Sequence, residues 1–368
     1  MQLKNLMQMT KEELIKQLGD LVAFKTLSGE MEENAKSVDY VQKLIDEGID
    51  IRRIKNGKAE VLIASVIKGN TPKYCYMVHI DVVAGRDDQF VMKVEGNRAI
   101  GRGTCDMKFS IPLGISLLNE AKEKGLDFCL MVTTDEEIGG LEGAKVIAEE
   151  GFAPGILIVP DGGEDLNFVD KAKGVCQLKL VATGKPAHAS RPWQGKNAID
   201  DLVVLGDELL KIYGKNNLTE SWVTTMNFGT IGGGISTNQV CPEAELKIDF
   251  RYPETDSIEN IISVVENKIK ELKLEISVST MSTGLPTFTD VNDPEVKKYI
   301  SVMQEAFGRE IKIRQTYGAS DARHFAKTKS PVIMHKPIGG EIHSADEWID
   351  LDSVMTFYQG MREYLGLN

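Results

Sequence analysis

The fold of this chain is decided by the stretch Tyr74-Cys75-Tyr76-Met77-Val78-His79-Ile80-Asp81-Val82-Val83. Its aromatic and β-branched residues predict a buried strand over 74–83. Similar apolar runs recur at 59–67, 128–134 and 155–159, and helical periodicity follows at 111–124 and 142–150. Strands that alternate with helices are typical of an α/β domain with a mixed, mostly parallel sheet.

The pattern changes near residue 174. Strands are predicted at 175–182, 222–231, 244–252 and 274–280, and helices at 195–213 and 257–272. The order β-α-β-β-α-β is typical of a ferredoxin-like α+β domain. The α/β pattern resumes afterwards, and 368 residues favour two domains. We therefore predict a discontinuous catalytic domain, 1–173 and 287–368, with an inserted domain at 174–286.

The composition excludes several classes of partner. The net charge is −12, and no basic cluster suggests binding to nucleic acid or to an anionic membrane surface. No apolar run approaches the roughly 20 residues of a membrane span. Residues 1–20 read as a polar amphipathic helix without the apolar core of a signal peptide, so we expect a cytoplasmic protein.

The five cysteines argue against two kinds of site. They are far apart and odd in number, and they form no C-x-x-C pair. This spacing is not typical of a disulfide framework or of a thiolate zinc site. Any metal ion must therefore be held by nitrogen and oxygen ligands.

His79 and Asp81 lie two residues apart in a predicted strand, so their side chains point to the same face. A metal-binding histidine commonly donates its second ring N–H to a carboxylate, which fixes the tautomer. The pair fits a ligand, His79, with an orienting partner, Asp81. A buried His–Asp pair with a structural role fits this segment equally well.

Asp106 follows a glycine-rich turn and lies near the predicted start of a helix. It fits a helix N-cap or a metal ligand. Glu136 and Glu137 follow the apolar run at 128–134. Adjacent residues of an extended segment point in different directions, so one glutamate can bind a metal while its neighbour acts as a base on water. A solvated acidic turn is the alternative.

Asp161 also follows an apolar run, and His343 follows the late predicted strand at 332–336. Ligands of open α/β sheets gather at the carboxyl ends of the strands. Together with His79, Asp106 and Glu137, these residues form a set of two histidines and three carboxylates. This set suits two divalent ions with one carboxylate between them.

Five ordered blocks of the sequence carry a family resemblance that covers essentially the whole chain. The chain resembles the dinuclear zinc metallopeptidases that include aminoacylase, glutamate carboxypeptidase, acetylornithine deacetylase and succinyl-diaminopimelate desuccinylase. The blocks are His79-x-Asp81-Val82-Val83, Gly101-Arg102-Gly103-x-x-Asp106-x-Lys108, Glu136-Glu137-x-Gly139, Gly184-x-x-Ala187-His188-x-x-x-Pro192-x-x-Gly195-x-Asn197-Ala198, and the segment around His343.

The resemblance implies a role for each matching residue of the metal centre. His79 and Asp161 are expected to bind one ion, and Glu137 and His343 the other; the implied ions are zinc, with Co²⁺ or Mn²⁺ as alternatives. Asp106 bridges the two ions. The resemblance further implies that Glu136 is the general base and that Asp81 orients His79.

The resemblance also implies functional residues outside the metal centre. His188, in the inserted domain, corresponds to a lid histidine that stabilises the oxyanion and often acts in the partner subunit of a homodimer. Asn238 and Arg251 resemble residues that hold a substrate carboxylate, and Arg323 is a weaker candidate for that task. The implied substrate is a small molecule, either a short peptide or an N-acyl amino acid.

Three departures from the family pattern bear on the substrate. Asp161 stands where deacetylases and desuccinylases carry glutamate, which favours peptide cleavage. Phe109 replaces a small glycine, and residues 86–94 lack the usual tryptophan and Pro-Phe pair. Acetylornithine deacetylase or succinyl-diaminopimelate desuccinylase activity remains an alternative, as does a catalytically inactive binding protein on the same fold. A thiol hydrolase based on Cys105 is disfavoured because the neighbouring Asp106 raises a thiol pKa.

Overall fold

The computed structural model describes residues 8–368. Among these residues, no helix is both long and apolar enough to cross a membrane. The helices are α1 Lys11–Ala23, α2 Met31–Leu44, α3 Ser110–Lys124, α4 Ala144–Glu149, α5 Ala198–Tyr213, α6 Ile258–Glu271, α7 Pro294–Phe307 and α8 Leu351–Leu365. The strands are β1 Asp50–Asn56, β2 Ala59–Ser65, β3 Tyr74–His79, β4 Lys93–Glu95, β5 Arg98–Ile100, β6 Phe128–Thr133, β7 Ile156–Val159, β8 Phe168–Ala172, β9 Gly174–Thr183, β10 Thr225–Gly233, β11 Glu243–Tyr252, β12 Ile276–Gly284, β13 Thr287–Phe288, β14 Ile313–Thr316, β15 Val332–Met334, β16 Gly339–Gly340 and β17 Trp348–Asp350.

The larger of two compact units is built around a mixed sheet. It contains the described residues up to Lys171, together with Phe288–Thr316 and Ser320–Asn368. The strand order is β1-β2-β6-β3-β7-β15-β8-β13, with β14 paired to β8. Strands β6, β3, β7 and β15 run parallel, whereas β1 and β2 add antiparallel pairs at one edge. The predicted α/β class with a mixed sheet is confirmed, and the core of the sheet is parallel.

Successive residues of the central strands enter two different hydrophobic cores. Along β3, Tyr74, Tyr76 and Val78 belong to one core, and Cys75 and Met77 belong to the other. Helices α3, α7 and α8 contribute to the first core, and α4 contributes to the second. Because both faces of the sheet are covered, β3, β6 and β7 are buried at every position, as is typical of parallel sheets.

The smaller unit contains Ala172–Thr287 and Tyr317–Ala319. Its four strands form an antiparallel sheet in the order β10-β11-β9-β12. Burial alternates along β11, and its buried residues pack in one core with α5 and α6. The helices therefore cover one face of this sheet. The element order β9-α5-β10-β11-α6-β12 is the order predicted for 174–286.

Several predicted boundaries differ from the structure. The strand predicted over 74–83 ends at His79, so Asp81 lies in the following loop. Residues Asp321–Thr328, which follow β14, form a 3-10 helix. Of the helix predicted over 1–20, residues 1–7 lie outside the described part of the chain, and the rest corresponds to α1. The sequence patterns do not predict α2, β1 or the small sheet of β16, β17, β5 and β4.

His335 gives this fold a pH dependence. Its Nε2 contacts the carbonyl oxygen of Leu166 at 3.2 Å, and its Nδ1 contacts the Tyr299 hydroxyl at 2.9 Å. Because a carbonyl can only accept, Nε2 carries the proton and Nδ1 accepts from Tyr299. Burial lowers the pKa of His335 to about 4. The folded state therefore holds a neutral imidazole that the unfolded chain protonates near its ordinary pKa.

We predict that His335 contributes an acid-sensitive part of the free energy of unfolding. The contribution is complete above about pH 6.5 and is lost as the pH falls towards 4, by about 3 kcal/mol in total. In His335→Gln, urea unfolding measured between pH 4 and 7 should show a shallower pH dependence. The exposed His188→Gln variant is the control and should keep the wild-type slope. Equal slopes for all three proteins would contradict the assignment.

Candidate metal centre

The candidate ligands lie where three neighbouring strands end. His79 is the last residue of β3, Glu137 follows the end of β6, and Asp161 follows the end of β7. Strand β3 pairs in parallel with both β6 and β7, so the three carboxyl ends meet at one edge of the sheet. Sheet topology therefore brings together residues that are far apart in the sequence, as expected for an open α/β sheet.

Asp106 lies between two groups of potential ligand atoms. His79, Asp106 and Asp161 form one group, and Asp106, Glu137 and His343 form the other; within each group the ligand atoms lie within 4.8 Å of one another. Oδ1 of Asp106 is 3.1 Å from Nε2 of His79, and its Oδ2 is 3.1 Å from Nε2 of His343. Each oxygen of one carboxylate thus faces a different group.

The donor chemistry of both groups fits divalent metal ions. Each group offers one imidazole nitrogen and two carboxylates, a set that suits zinc and similar ions. Burial, with the nearby charge of Asp106, raises the pKa of Asp161 to about 7. The raised pKa of Asp161 indicates that the carboxylates of this site lie close together and are shielded from water. Bound cations offset this crowding, so the residues present fit a metal centre.

His343 lies on a loop in a strained conformation. Its φ is 60° and that of Glu341 is 56°, in the left-handed region that side-chain-bearing residues rarely adopt. Gln89 donates to the carbonyl oxygen of Ser344 at 2.9 Å and thereby holds this loop. The contact comes from the segment 86–94, where the sequence departs from the family pattern. The carboxylates of Asp106 and Glu137 raise the pKa of His343 to about 10.

The structure excludes the helix-cap interpretation of Asp106. Helix α3 begins at Ser110 with Phe109 as its N-cap, and Asp106 has φ −126° and ψ 90°, outside the helical range. Phe109 is fully buried in the larger core. The Asp106 carboxylate faces the two histidines instead.

Asp81 contacts His79 differently from the sequence expectation. Nδ1 of His79 lies 3.0 Å from the backbone carbonyl oxygen of Asp81, whereas the nearest carboxylate oxygen is 3.6 Å away. The carboxylate accepts instead from the backbone N–H of Glu136 at 3.2 Å and of Glu137 at 3.1 Å, and from the hydroxyl of Ser28 at 2.6 Å. Asp81 therefore fixes the turn that carries both glutamates, and its carbonyl orients the imidazole.

Glu136 lies beside the two ligand groups and belongs to neither. It lines a small cavity together with His79, Asp161 and Asp321. Burial raises the pKa of Glu136 well above its ordinary value, opposed by His79 and supported by the charges of Asp161 and Asp321. A carboxylate with a raised pKa is better matched to accepting and releasing a proton near neutral pH.

Sequence reasoning missed two charged residues beside the ligands. Asp321 lines the same cavity as Glu136, and burial raises its pKa to about 7. Lys336 is buried two residues after β15; burial acts to lower its pKa, but Cys105 and the carboxylates of Asp161 and Asp106 raise it overall. Lys336 follows an apolar strand just as Asp161 does, so the strand-end rule could have found it.

Arg323 supports the turn that carries the glutamates. Its guanidinium donates to the carbonyl oxygen of Gly139 at 2.5 Å, and Nε2 of His324 lies 3.0 Å from the same oxygen. One terminal nitrogen of the Arg323 guanidinium is thus bound to the backbone of this turn. The sequence proposed Arg323 as a weaker candidate for holding a substrate carboxylate, and the observed contact indicates a supporting position instead.

His188 and Asn238 lie together in the smaller unit. An isolated bridge pairs His188 with Gln239, and the N–H of Ala189 donates to the carbonyl oxygen of Asn238 at 2.9 Å. Nδ1 of His188 accepts the backbone N–H of Ser190 at 3.1 Å. The proton of the neutral imidazole is therefore on Nε2. Both residues are exposed.

Arg251 lies at the opposite end of the sheet in the same unit. Its Nε donates to Oδ1 of Asp249 at 2.7 Å, and a terminal nitrogen donates to Oδ2 at 3.3 Å. Arg251 also lines a cavity of about 540 Å³ together with Lys173 and Tyr317. Two nitrogens of the Arg251 guanidinium are thus occupied by Asp249. The cavity that Arg251 borders is large enough for a small molecule.

Cys105 lacks the features of a nucleophile. It is fully buried, and burial, together with the charges of Glu347 and Asp106, raises its pKa to about 12. A reactive cysteine needs a lowered pKa and access to solvent. The thiol-hydrolase alternative therefore has no support from the structure.

The comparison that decides the family is a match over most of the chain. The model for "Peptidase family M20/M25/M40" matches residues 75–366. The chain belongs to this family. It is therefore a metal-dependent hydrolase that acts on C–N amide bonds. Among sequence relatives, a succinyl-diaminopimelate desuccinylase of Wolinella succinogenes is 26% identical over 345 residues, which cover 89% of this chain and 93% of the relative.

Solved structures of M20 proteins share the fold. An M20 family metallo-carboxypeptidase from Sulfolobus solfataricus has a TM-score of 0.78 at 18% identity, covering 96% of this chain and 99% of its own. A tripeptidase from Staphylococcus aureus has a TM-score of 0.76 at 20% identity, and the alignment covers 97% of this chain and 98% of the tripeptidase chain. At these identities the likeness concerns the fold.

Metal removal should lower the stability of this M20 hydrolase, because it leaves the buried acids uncompensated. We expect a lower unfolding temperature after chelation. Zinc at 100 times its Kd should restore about 2.7 kcal/mol per site. Asp106→Asn should gain much less from zinc, whereas the exposed control Asp46→Asn should gain as much as wild type. Thermal unfolding with and without zinc measures this, and an unfolding temperature indifferent to zinc would refute the assignment.

Proposed function

We propose that this protein is a two-metal hydrolase that uses zinc to cleave an amide bond in a short peptide or an N-acyl amino acid. His79 and Asp161 would hold one ion and Glu137 and His343 the other, with Asp106 shared between the two groups; Co²⁺ or Mn²⁺ could take the place of zinc. The observation that carries the proposal is the Asp106 carboxylate, whose two oxygens each lie 3.1 Å from a different imidazole.

The catalytic steps of the chain itself centre on Glu136. Metal ions bound at this site would supply Lewis acidity for the substrate carbonyl and for the attacking water. Glu136 accepts the proton of the attacking water on its carboxylate and delivers it to the nitrogen of the leaving amine. Its position is fixed because Asp81 accepts the backbone N–H groups of Glu136 and Glu137. Deep burial of this carboxylate favours the protonated form between the two transfers.

His188 supplies a hydrogen-bond donor for the oxyanion. Ser190 donates its N–H to Nδ1, which leaves the proton of the neutral ring on Nε2. A donor aimed at the carbonyl oxygen stabilises the negative charge that develops there. Asn238, next to the His188 loop, and Arg251, from the other chain of a homodimer, hold the carboxylate of the substrate in this proposal.

The substrate class follows from two sets of relatives. The sequence relative from Wolinella succinogenes is named for removal of a succinyl group, and the structural neighbour from Staphylococcus aureus is named a tripeptidase. We propose that this chain acts on a substrate with a free carboxylate next to the scissile amide. Measurements of kcat/KM for N-acetyl amino acids, N-succinyl-diaminopimelate, dipeptides and tripeptides with each metal separate the peptidase from the desuccinylase alternative.

Glu136→Gln tests the assignment of the base. The amide preserves the shape of the side chain but cannot accept the proton, so kcat should fall by a factor of at least about 10²–10⁴. Metal content, measured by mass spectrometry, should stay at the wild-type value because Glu136 belongs to neither ligand group. Glu149→Gln on the exposed side of α4 is the matched control and should retain full activity. Normal turnover in Glu136→Gln rules out this base.

The geometry of the smaller unit supports a homodimer with shared sites. In the antiparallel pair of β11 with β9, Arg251 lies opposite Val175 and Glu243 lies opposite Thr183. These positions are about 26 Å apart along the strand, and His188 lies beyond the Thr183 end. A dipeptide spans only about 7 Å. His188 and Arg251 of one chain therefore cannot both hold one small substrate, which favours contributions from two chains.

Exposed apolar side chains at the His188 end fit the same proposal. Trp193, in the short 3-10 helix Pro192–Gln194 that follows His188, is 77% exposed. Ile235, in the loop that precedes Asn238, is 88% exposed. Exposed apolar residues of this size are typical of surfaces that a partner covers. The smaller unit then acts as a lid and as the dimerisation domain of the enzyme.

Mixing two inactive variants tests the shared site. Glu136→Gln chains keep His188, and His188→Ala chains keep Glu136, so each heterodimer contains one complete site if His188 acts across the interface. After statistical mixing, about a quarter of the wild-type activity should return. Capture of untagged His188→Ala chains by affinity-tagged Glu136→Gln chains provides the control for dimer exchange. Exchanged dimers that remain inactive contradict the shared-site proposal.

A further inference from the structure

We propose that Glu347, together with Arg102, is a positioning residue that sets the place of Asp106 between the two ligand groups. The role assigned to Asp106 rests on the proposed function. Glu347 is only 1% exposed. It lies four residues after His343 and directly before β17, and its side chain turns into the loop that carries Asp106.

The Glu347 carboxylate is saturated with hydrogen bonds from one loop. Its Oε1 accepts the N–H groups of Cys105 at 2.9 Å and Asp106 at 3.0 Å. Its Oε2 accepts the N–H of Gly103 at 2.9 Å and the guanidinium of Arg102 at 2.9 Å. Hydrogen bonds to an ionised carboxylate are stronger than those between neutral groups. A single side chain therefore holds the backbone of the loop at three amides.

This loop needs an external partner because it is not regular structure. Asp106 is outside the helical range, and α3 begins only at Ser110. Gly103 has φ 80°, and a Cβ there would lie 2.8 Å from the side chain of Val82. The amides that point at Glu347 have no helical or sheet partner of their own. Without the carboxylate, they would be buried donors without acceptors.

Arg102 extends the same contact to two other ligand loops. One terminal nitrogen lies 3.4 Å from the carbonyl oxygen of Ala84, in the loop that follows His79. The same nitrogen lies 3.4 Å from the carbonyl oxygen of His343 itself. The Arg102–Glu347 pair thus joins the segments after His79, before Asp106 and around His343. His79, Asp106 and His343 define the distance between the two ligand groups. The Arg102–Glu347 pair is placed to set this distance.

The alternative is that Glu347 only stabilises the small sheet. Its backbone carbonyl accepts the N–H of Gly101 at 3.0 Å, next to the pairing of β17 with β5. In that case, its loss would lower the unfolding temperature and leave the Asp106 loop and the metal affinity unchanged. The positioning role requires changes at the loop itself and at both ligand groups.

Glu347→Gln separates the two roles. In either orientation of the amide, an NH₂ group replaces one oxygen that now faces two donors, so two hydrogen bonds to the loop are lost. In metal-free protein, hydrogen exchange of the segment 101–108 should become at least about tenfold faster. Zinc affinity should fall by about 10- to 100-fold, as is typical for the loss of a partner behind a metal ligand. kcat should fall by a similar factor with little change in KM.

Asp346→Asn is the matched control. It removes the same charge from the adjacent, exposed residue and should leave exchange, zinc affinity and turnover at wild-type values. If Glu347→Gln fails to fold because Arg102 is left without its counter-ion, the double variant Arg102→Gln/Glu347→Gln restores the charge balance and should show the same faster exchange at 101–108.

Two of the readouts do not depend on any substrate. If the wild-type protein hydrolyses none of the compounds tested, exchange and zinc affinity still decide the role of Glu347. A folded Glu347→Gln or double variant with wild-type exchange at 101–108 and wild-type zinc affinity overturns the proposal, whatever its unfolding temperature.

Discussion

The arrangement of the candidate metal centre depends on a crowded group of acidic side chains at the carboxyl edge of the larger sheet. Parallel pairing of β3 with β6 and β7 forces His79, Glu137 and Asp161 to one edge, and the Asp106 loop adds a further carboxylate between them. Burial, together with the nearby charge of Asp106, raises the pKa of Asp161. Bound divalent cations would satisfy this constraint, in keeping with the metal-dependent amide hydrolysis of the M20 family.

A second consequence is that the ligands need support from outside the sheet. Each ligand lies at the end of a strand or in a loop, where the backbone lacks regular hydrogen bonds. Side chains provide them instead: Asp81 holds the Glu136–Glu137 turn, Arg323 holds Gly139, and Glu347 holds the Asp106 loop. The candidate metal centre is therefore built from loops that are fixed by buried charged residues.

The sequence predicts the strands well because their periodicity and length are local properties. The buried runs at 74–83 and 128–134 are recognisable alone, and the ligands at their ends follow from the topology of parallel sheets. The supporting contacts are not local. Glu347 meets Asp106 across 241 positions of the chain, and no spacing rule reveals that pair. The choice between the carbonyl and the carboxylate of Asp81 as the partner of His79 depends on where β3 ends, which is the least certain feature of a sequence pattern.

The central claim is that one carboxylate, that of Asp106, bridges two metal ions. Anomalous diffraction from zinc-loaded crystals tests it most directly. The account predicts two peaks about 3.5–4 Å apart, each about 2.0–2.2 Å from a different oxygen of Asp106, one beside His79 and Asp161 and the other beside Glu137 and His343. A single peak, or two peaks that do not share Asp106, would contradict the account.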